Sequence, residues 1–292
     1  MVIVGKTKPE RERILAEAFE ILRKIDDEIH SQNSQSEIAR INRMGFQKPQ
    51  EVSGEVFSLI QRSVEFFEKT GGAFDITVLP LLKLWGFNGG EPHLPQPEEI
   101  QSLLSRVGSD HLLLDAKHRK VGFRVPDMEI DLGGITRGYA CDRVTQFLKA
   151  QGIHDGLVNI DGTIGAFGRA PDRKPWRVGL RHPRDPTRTL RVISLADEAV
   201  STRGDYERFF VLNGRRYSHI LNPRTGYPAS ESVAVSVIAS SAFLADALSS
   251  SFFILGPEKT PFLAKQYREA RWYLTYFANG EHFKTLSSEP AS

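Results

Sequence analysis

Residues 129–152 read EIDLGGITRGYACDRVTQFLKAQG. An acid, two glycines and then a helically spaced run make this a glycine turn that enters a helix ending near Gly152. The stretch lies where the chain changes texture. Upstream, PERERILAEAFEILRKIDDEIH places Ile14, Ala18, Ile21, Leu22, Ile25 and Ile29 at helical spacing, with Pro9 suited to the first turn. A second amphipathic helix runs from about Ser53 through Val56, Leu59, Ile60, Val64 and Phe67 until Gly71-Gly72 stops it. GFNGGEPHLPQPEE is a loop by composition, and PEEIQSLLSRVG is a short helix.

Downstream the pattern is β. HLLLDAKHRKVGFRV predicts a hairpin, and DGLVNI, WRVGLRH, TLRVISL and SVAVSVIAS predict strands from their β-branched content. Asn213-Gly214 and Asn279-Gly280 sit between strand-like runs and predict tight turns. One more helix, SSAFLADALSSSFFILG, lies between them. Helices first, then hairpins with a few helices, predicts an α+β fold with a mostly antiparallel sheet and flanking helices. Without a sharp linker, residues 1–292 are expected to form one intertwined domain, with a helical part over about 1–108 and a β-rich part over about 109–292.

Composition narrows the function classes. The chain has 38 basic and 36 acidic residues, net +2, and no basic run interleaved with aromatics, so nothing in it invites nucleic acid. Its single cysteine, Cys141, excludes an internal disulfide and a Cys-rich metal site. No apolar run approaches the ~20 residues of a membrane span. The apolar stretch in MVIVGKTKPERER is too short for a signal peptide, so the expectation for the chain as written is cytoplasmic.

Several stretches could carry chemistry. In DLGGITRGYACDR the glycines would let backbone approach a ligand, the helix start offers N–H groups to an anion, and Gly134 could turn its carbonyl to a cation. Arg137, one turn later, suits phosphate, although glycine turns mostly serve geometry. In LADALSSSFF, Asp246 and Ser250 are four apart and share a helix face, with Ser249 adjacent. These hard oxygens are too few to cage Ca²⁺ but suit Mg²⁺ that keeps waters; local bonding within the helix explains them equally. VNIDGTIGAFG carries G-x-x-G-x-x-G without a long helix after it, a weak dinucleotide signal. GGAFDITVLPLLKLWGF places Asp75 and Thr77 beside Phe74, which suits either a planar heterocycle or a core. In SHILNPRTGYP, residues 218–228, His219 precedes a turn stiffened by Asn222-Pro223 and Gly226-Tyr227-Pro228.

Together and in this order, GAFDITVLPLLKLWGF, DLGGITRGYACDR, VSTRGDY, SHILNPRTGYP and ADALSSSFFILGPE resemble the ApbE family over roughly residues 31–260. The resemblance implies an ApbE-like α/β roll. It implies an FAD:protein FMN transferase that uses FAD as substrate with Mg²⁺, moves FMN to a threonine or serine hydroxyl of an acceptor flavoprotein, and releases AMP. Carried over by motif, it assigns metal ligands to the Gly134 carbonyl, Asp246 and Ser250, with Ser249 adjacent. It lines the FAD site with Ala73, Phe74, Asp75, Asp131, Arg137 and Leu221, and makes His219 the catalytic base. A histidine's ordinary pKa of ~6.5 suits acceptance of a hydroxyl proton.

This sequence departs from the family pattern in places. The family's Thr-Ser-Gly reads Thr202-Arg203-Gly204, which inserts a cation near the expected site, and its Asp-Pro-x-Thr-Gly reads Asn222-Pro223-Arg224-Thr225-Gly226. The chain begins just after the point where a Met-Gly-Thr segment is usual in the family. Family members are usually periplasmic lipoproteins. Two alternatives stay open: a Mg²⁺-dependent FAD pyrophosphatase that gives FMN and AMP, and a non-catalytic flavin-binding protein.

Overall fold

The computed structural model describes residues 1–278 and 282–289. In chain order its elements are β1 (Val2–Ile3), α1 (Lys8–Ile29), α2 (Glu37–Met44), β2 (Gln50–Glu51), α3 (Gly54–Lys69), α4 (Leu79–Leu84) and α5 (Pro97–Leu104). There follow β3 (Leu112–Asp115), β4 (Lys120–Phe123), α6 (Thr136–Ala150), β5 (Gly156–Ile160), β6 (Thr163–Phe167), β7 (Trp176–His182) and β8 (Asp185–Leu195). The last are β9 (Glu198–Gly204), β10 (Phe209–Leu212), β11 (Arg215–Ser218), β12 (Ala234–Ala239), α7 (Ala242–Ala264), β13 (Arg271–Ala278) and β14 (His282–Ser287). The expected α+β class holds. The chain divides into two compact units interleaved along the sequence: residues 1–25, 134–206 and 231–292 form the first, and 26–133 and 207–230 the second.

The first unit is built on a seven-stranded sheet, β1-β5-β6-β9-β12-β13-β14, antiparallel at every pairing. Period-2 alternation sorts β9 between two cores. Ala199 packs with Cys141, Val144 and Leu148 of α6 and Ile14 and Ala18 of α1. Val200 faces the opposite way, onto Trp176, Val178 and Ile193 of the β7–β8 hairpin. The same alternation puts Ser201 and Arg203 on the helix-bearing face. G-x-x-G-x-x-G proves to be the β5–β6 hairpin, turned at Asp161 (φ 47) and Gly162 (φ 86), not a strand-to-helix dinucleotide loop.

The helix α7 starts under two constraints. Ser241 Oγ accepts from the Leu244 N–H at 3.2 Å, and the Asp142 carboxylate of α6 accepts from Ala242 N at 2.8 Å and Phe243 N at 2.9 Å. A negative group at a helix N-terminus also complements the helix dipole. Gly138 lets the two helices approach: a Cβ there would fall 2.4 Å from the Ala242 carbonyl oxygen and 2.8 Å from Asp246 Cβ.

The second unit contains α2–α5, the small sheet β2-β4-β3 and the β10–β11 hairpin. Asn213 (φ 50) and Gly214 (φ 75) close that hairpin as expected; Asn279-Gly280 lies outside the described residues. The short helices α2 and α4 are not among the elements expected from the sequence: α4 is only six residues long, and α2 buries just Ile38 and Ile41. Leu81, Trp85, Phe87, Ile100 and Leu221 form one core cluster here. Among the described residues no helix is long and apolar enough to cross a membrane.

The turn after His219 is keyed into this core. Asn222 accepts at its carbonyl from Gly226 N at 2.8 Å and at its side chain from Arg224 N at 3.0 Å. Trp85 Nε1 donates to the Gly226 carbonyl at 2.8 Å. Gly226 has φ 73, and a Cβ there would lie 2.4 Å from Ile100 Cγ2. Gly226→Ala should therefore cost about 2 kcal/mol or more, combining a left-handed backbone with an overpacked core. Urea denaturation followed by circular dichroism would read the loss; an unchanged midpoint would contradict this packing.

Candidate functional site

In the first unit a buried polar cluster joins α7, β9 and the glycine corner before α6. Asp246 is fully buried, with 0% of its surface exposed, and Arg203 is 4% exposed. Arg203 Nη2 donates to Asp246 Oδ1 at 2.7 Å and to the Gly134 carbonyl at 2.8 Å, while Nε donates to Ser250 Oγ at 3.0 Å. The Asp246 carboxylate also accepts from Ser201 Oγ at 2.9 Å and, through Oδ2, from the Gly138 N–H at 2.9 Å. Ser201 Oγ is in turn 3.0 Å from Thr163 Oγ1. The amide of Gly138 belongs to the first turn of α6, where N–H groups have no partner in their own helix, so the carboxylate satisfies an orphan donor as well as the guanidinium.

Three expected ligands, Gly134, Asp246 and Ser250, thus meet across the sequence. Ser250 Oγ reaches the Gly134 carbonyl at 3.4 Å and the Asp246 carbonyl at 3.1 Å. Ser249, expected beside them, instead turns its hydroxyl onto the Asp246 backbone carbonyl at 2.9 Å, inside its own helix. Arg137, on the first turn of α6, donates through Nη1 to the Asp161 carbonyl at 3.1 Å and to Asp161 Oδ2 at 3.0 Å. Cys141 is buried under the same helix, and burial pushes its thiol up to about 12, which leaves it inert at neutral pH.

The other candidates belong to the second unit. Asp131 accepts from Ser31 Oγ at 2.7 Å through Oδ1 and from Gly133 N at 2.9 Å through Oδ2. Ala73, Phe74 and Asp75 are buried, Phe74 with its ring edge-on to Phe66. A cavity of about 330 Å³ opens over Asp75, lined also by Gly71, Gly72, Asp110 and Arg224. Asp75 Oδ1 accepts from Thr77 N at 2.9 Å, Thr77 Oγ1 at 2.7 Å and Ser109 Oγ at 2.7 Å. Leu221 is a core residue, bridged to Pro228.

Burial raises the Asp75 carboxyl above its ordinary range, against the opposing pull of the Ser109 and Thr77 hydrogen bonds. The folded chain then holds a proton that the unfolded chain has released. Stability is lost as pH rises from the ordinary carboxylate value, ~3.9, through the raised folded value. Asp75→Asn keeps the acceptor oxygen and removes the ionisation. Its stability advantage over the parent should grow with pH across that interval and then level off. Urea melts at a series of pH values would check this, and a constant difference would refute it.

His219 follows β11 directly and is half-buried. Its ring lies edge-on to Phe87, with centroids 6.4 Å apart. Nδ1 is 3.1 Å from the Arg208 carbonyl oxygen, which can only accept. The neutral ring therefore carries its proton on Nδ1 and its lone pair on Nε2. Arg208 is itself tethered through Nη2 to the Phe87 carbonyl.

Ser201 and Gly138 donate to Asp246 in the buried cluster, and Asp142 caps the helix that carries it; none of the three is a candidate from the sequence alone. Ser201 and Arg203 share the i, i+2 face of one strand, the single local signal that could have linked them.

The comparisons with known proteins agree with this architecture. The model of the ApbE family matches residues 2–274. The FAD:protein FMN transferase of Escherichia coli (strain K12) is 32% identical over 270 residues, covering 90% of this chain and 76% of the relative. The crystal structure of the ApbE protein from Thermotoga maritima superposes with a TM-score of 0.88 at 34% identity, covering 96% of this chain and 90% of that one. The flavinyl transferase ApbE from Pseudomonas stutzeri gives 0.85 at 33% identity, covering 95% and 86%. With a family match over nearly its full length and relatives this similar in sequence and fold, the chain belongs to the ApbE family.

Proposed function

We propose that this protein is a transferase that moves FMN from FAD to a hydroxyl of an acceptor flavoprotein. The named activity of its relatives supports the reaction class. The observation that carries the reading to this chain's own residues is the fixed tautomer of His219, whose Nδ1–H is held by the Arg208 carbonyl. In the reaction a threonine or serine oxygen of the acceptor attacks the phosphorus of the FMN half. The bond from that phosphorus to the bridging oxygen breaks, AMP leaves with that oxygen, and the hydroxyl proton passes to His219 Nε2. Geometry of this kind suits a general base, a contribution of ~10²–10⁴-fold.

The Mg²⁺ implied by the family resemblance does not fit these residues as they stand. The Gly134, Asp246 and Ser250 oxygens are the hard donors such an ion takes. They are, however, already hydrogen-bonded to the Arg203 guanidinium. Among the described residues, no group of three or more His, Cys, Asp or Glu offers another metal site.

Incubation with FAD and a candidate acceptor flavoprotein, followed by intact mass of the acceptor, tests the reading. A gain equal to one FMN phosphoester is expected. Free FMN and AMP with no gain on the acceptor would make the protein a pyrophosphatase, and intact FAD would contradict both.

A further inference from the structure

We propose that Arg203 is a built-in cation that takes the place of a divalent metal, so that this chain holds no ion between Gly134, Asp246 and Ser250 and works without one. The inference rests on the transferase reading only for its activity assay; the binding assay stands independently of it.

The geometry is specific. A divalent ion in this cluster would coordinate the Gly134 carbonyl, an Asp246 oxygen and the Ser250 hydroxyl. One guanidinium donates to all three, at 2.8, 2.7 and 3.0 Å. Its planar fork presents N–H groups in fixed directions, and two of the contacts share a single nitrogen, Nη2. The side chain is not a surface residue folded inward. It projects from β9, an interior strand between β6 and β12, and is 4% exposed. Ser201, two residues earlier on the same face, donates to the same Asp246 Oδ1 at 2.9 Å.

A guanidinium stays protonated at any working pH, so it cannot neutralise itself to admit a metal, as a lysine could. A divalent ion on Asp246 Oδ1 would have to sit beside a positive group hydrogen-bonded to the same oxygen, in an interior that screens poorly. Asp246 with Arg203 is a neutral pair, whereas Asp246 with a divalent ion would leave one net positive charge. The site therefore presents less positive field to a diphosphate than a metal-loaded one.

The test uses Mn²⁺ as a paramagnetic probe, titrated into the purified chain and read by electron paramagnetic resonance. The parent protein should bind no stoichiometric Mn²⁺. Arg203→Ser frees the three oxygens and should gain one site, at least tenfold tighter than any in the parent. Adding Asp246→Asn to Arg203→Ser should abolish it. One tight Mn²⁺ in the parent that Asp246→Asn removes would overturn the proposal. So would a folded Arg203→Ser protein that binds none, because the guanidinium would then not be standing where an ion fits.

Should Arg203→Ser fail to fold, the parent alone still decides. Its FMN transfer rate in EDTA should stay within about twofold of that in Mg²⁺. Loss in EDTA with recovery on Mg²⁺ would overturn the inference. Failure of transfer under both conditions would count against the transferase reading, and Mn²⁺ binding by the parent would then decide the inference by itself.

Discussion

Asp246→Ala should lower the stability of the first unit by about 3–5 kcal/mol, the range found when one partner of a buried ion pair is removed. The carboxylate is fully buried and accepts from Arg203, Ser201 and the Gly138 amide. Alanine would take this carboxylate away from a guanidinium with 4% exposure, and would take from the Gly138 N–H on the first turn of α6 the acceptor it has in Asp246 Oδ2. Most of the expected loss is this stranded desolvation rather than the net worth of the pair. Urea denaturation would measure it. The double variant Arg203→Leu/Asp246→Leu should cost much less than the two single changes added together, because it strands no charge. Additive losses would show that the pair is not coupled.

The second large effect concerns rate. His219→Ala should reduce FMN transfer by about 10²–10⁴-fold, the usual contribution of a positioned general base. Stability should change little by comparison, since the ring is half-buried, with Nδ1 on a backbone carbonyl and its edge toward the Phe87 ring. His219→Gln is the informative companion. It can donate to the Arg208 carbonyl but offers no basic nitrogen, so a base role predicts that it is as slow as alanine. Initial rates of acceptor flavinylation would decide. A near-parental rate for either variant would remove His219 from the chemistry.

Much of the fold was legible because its signals are local. The apolar positions of α1 and α3, the Ser53 cap whose Oγ accepts from Val56 N at 3.2 Å, and the Asn213-Gly214 turn each declare themselves within a few residues. The weak G-x-x-G-x-x-G signal was local too. It was ambiguous because glycine with positive φ serves a hairpin as readily as a phosphate loop.

The sequence by itself determined the family, the α+β order of elements, and the pairing of Asp246 with Ser250 on one helix face. It also placed a cation, Arg203, in a motif close to the expected site. Only the tertiary structure decided what that cation does. Periodicity says which side of a strand or helix a residue occupies. What stands opposite depends on β9 packing under α7, and on the Gly138 contact that brings α6 close enough to lend its amide to Asp246. Those separations of 43 residues between Arg203 and Asp246 and 69 between Arg203 and Gly134 are closed by the packed core, and no local rule reaches across them.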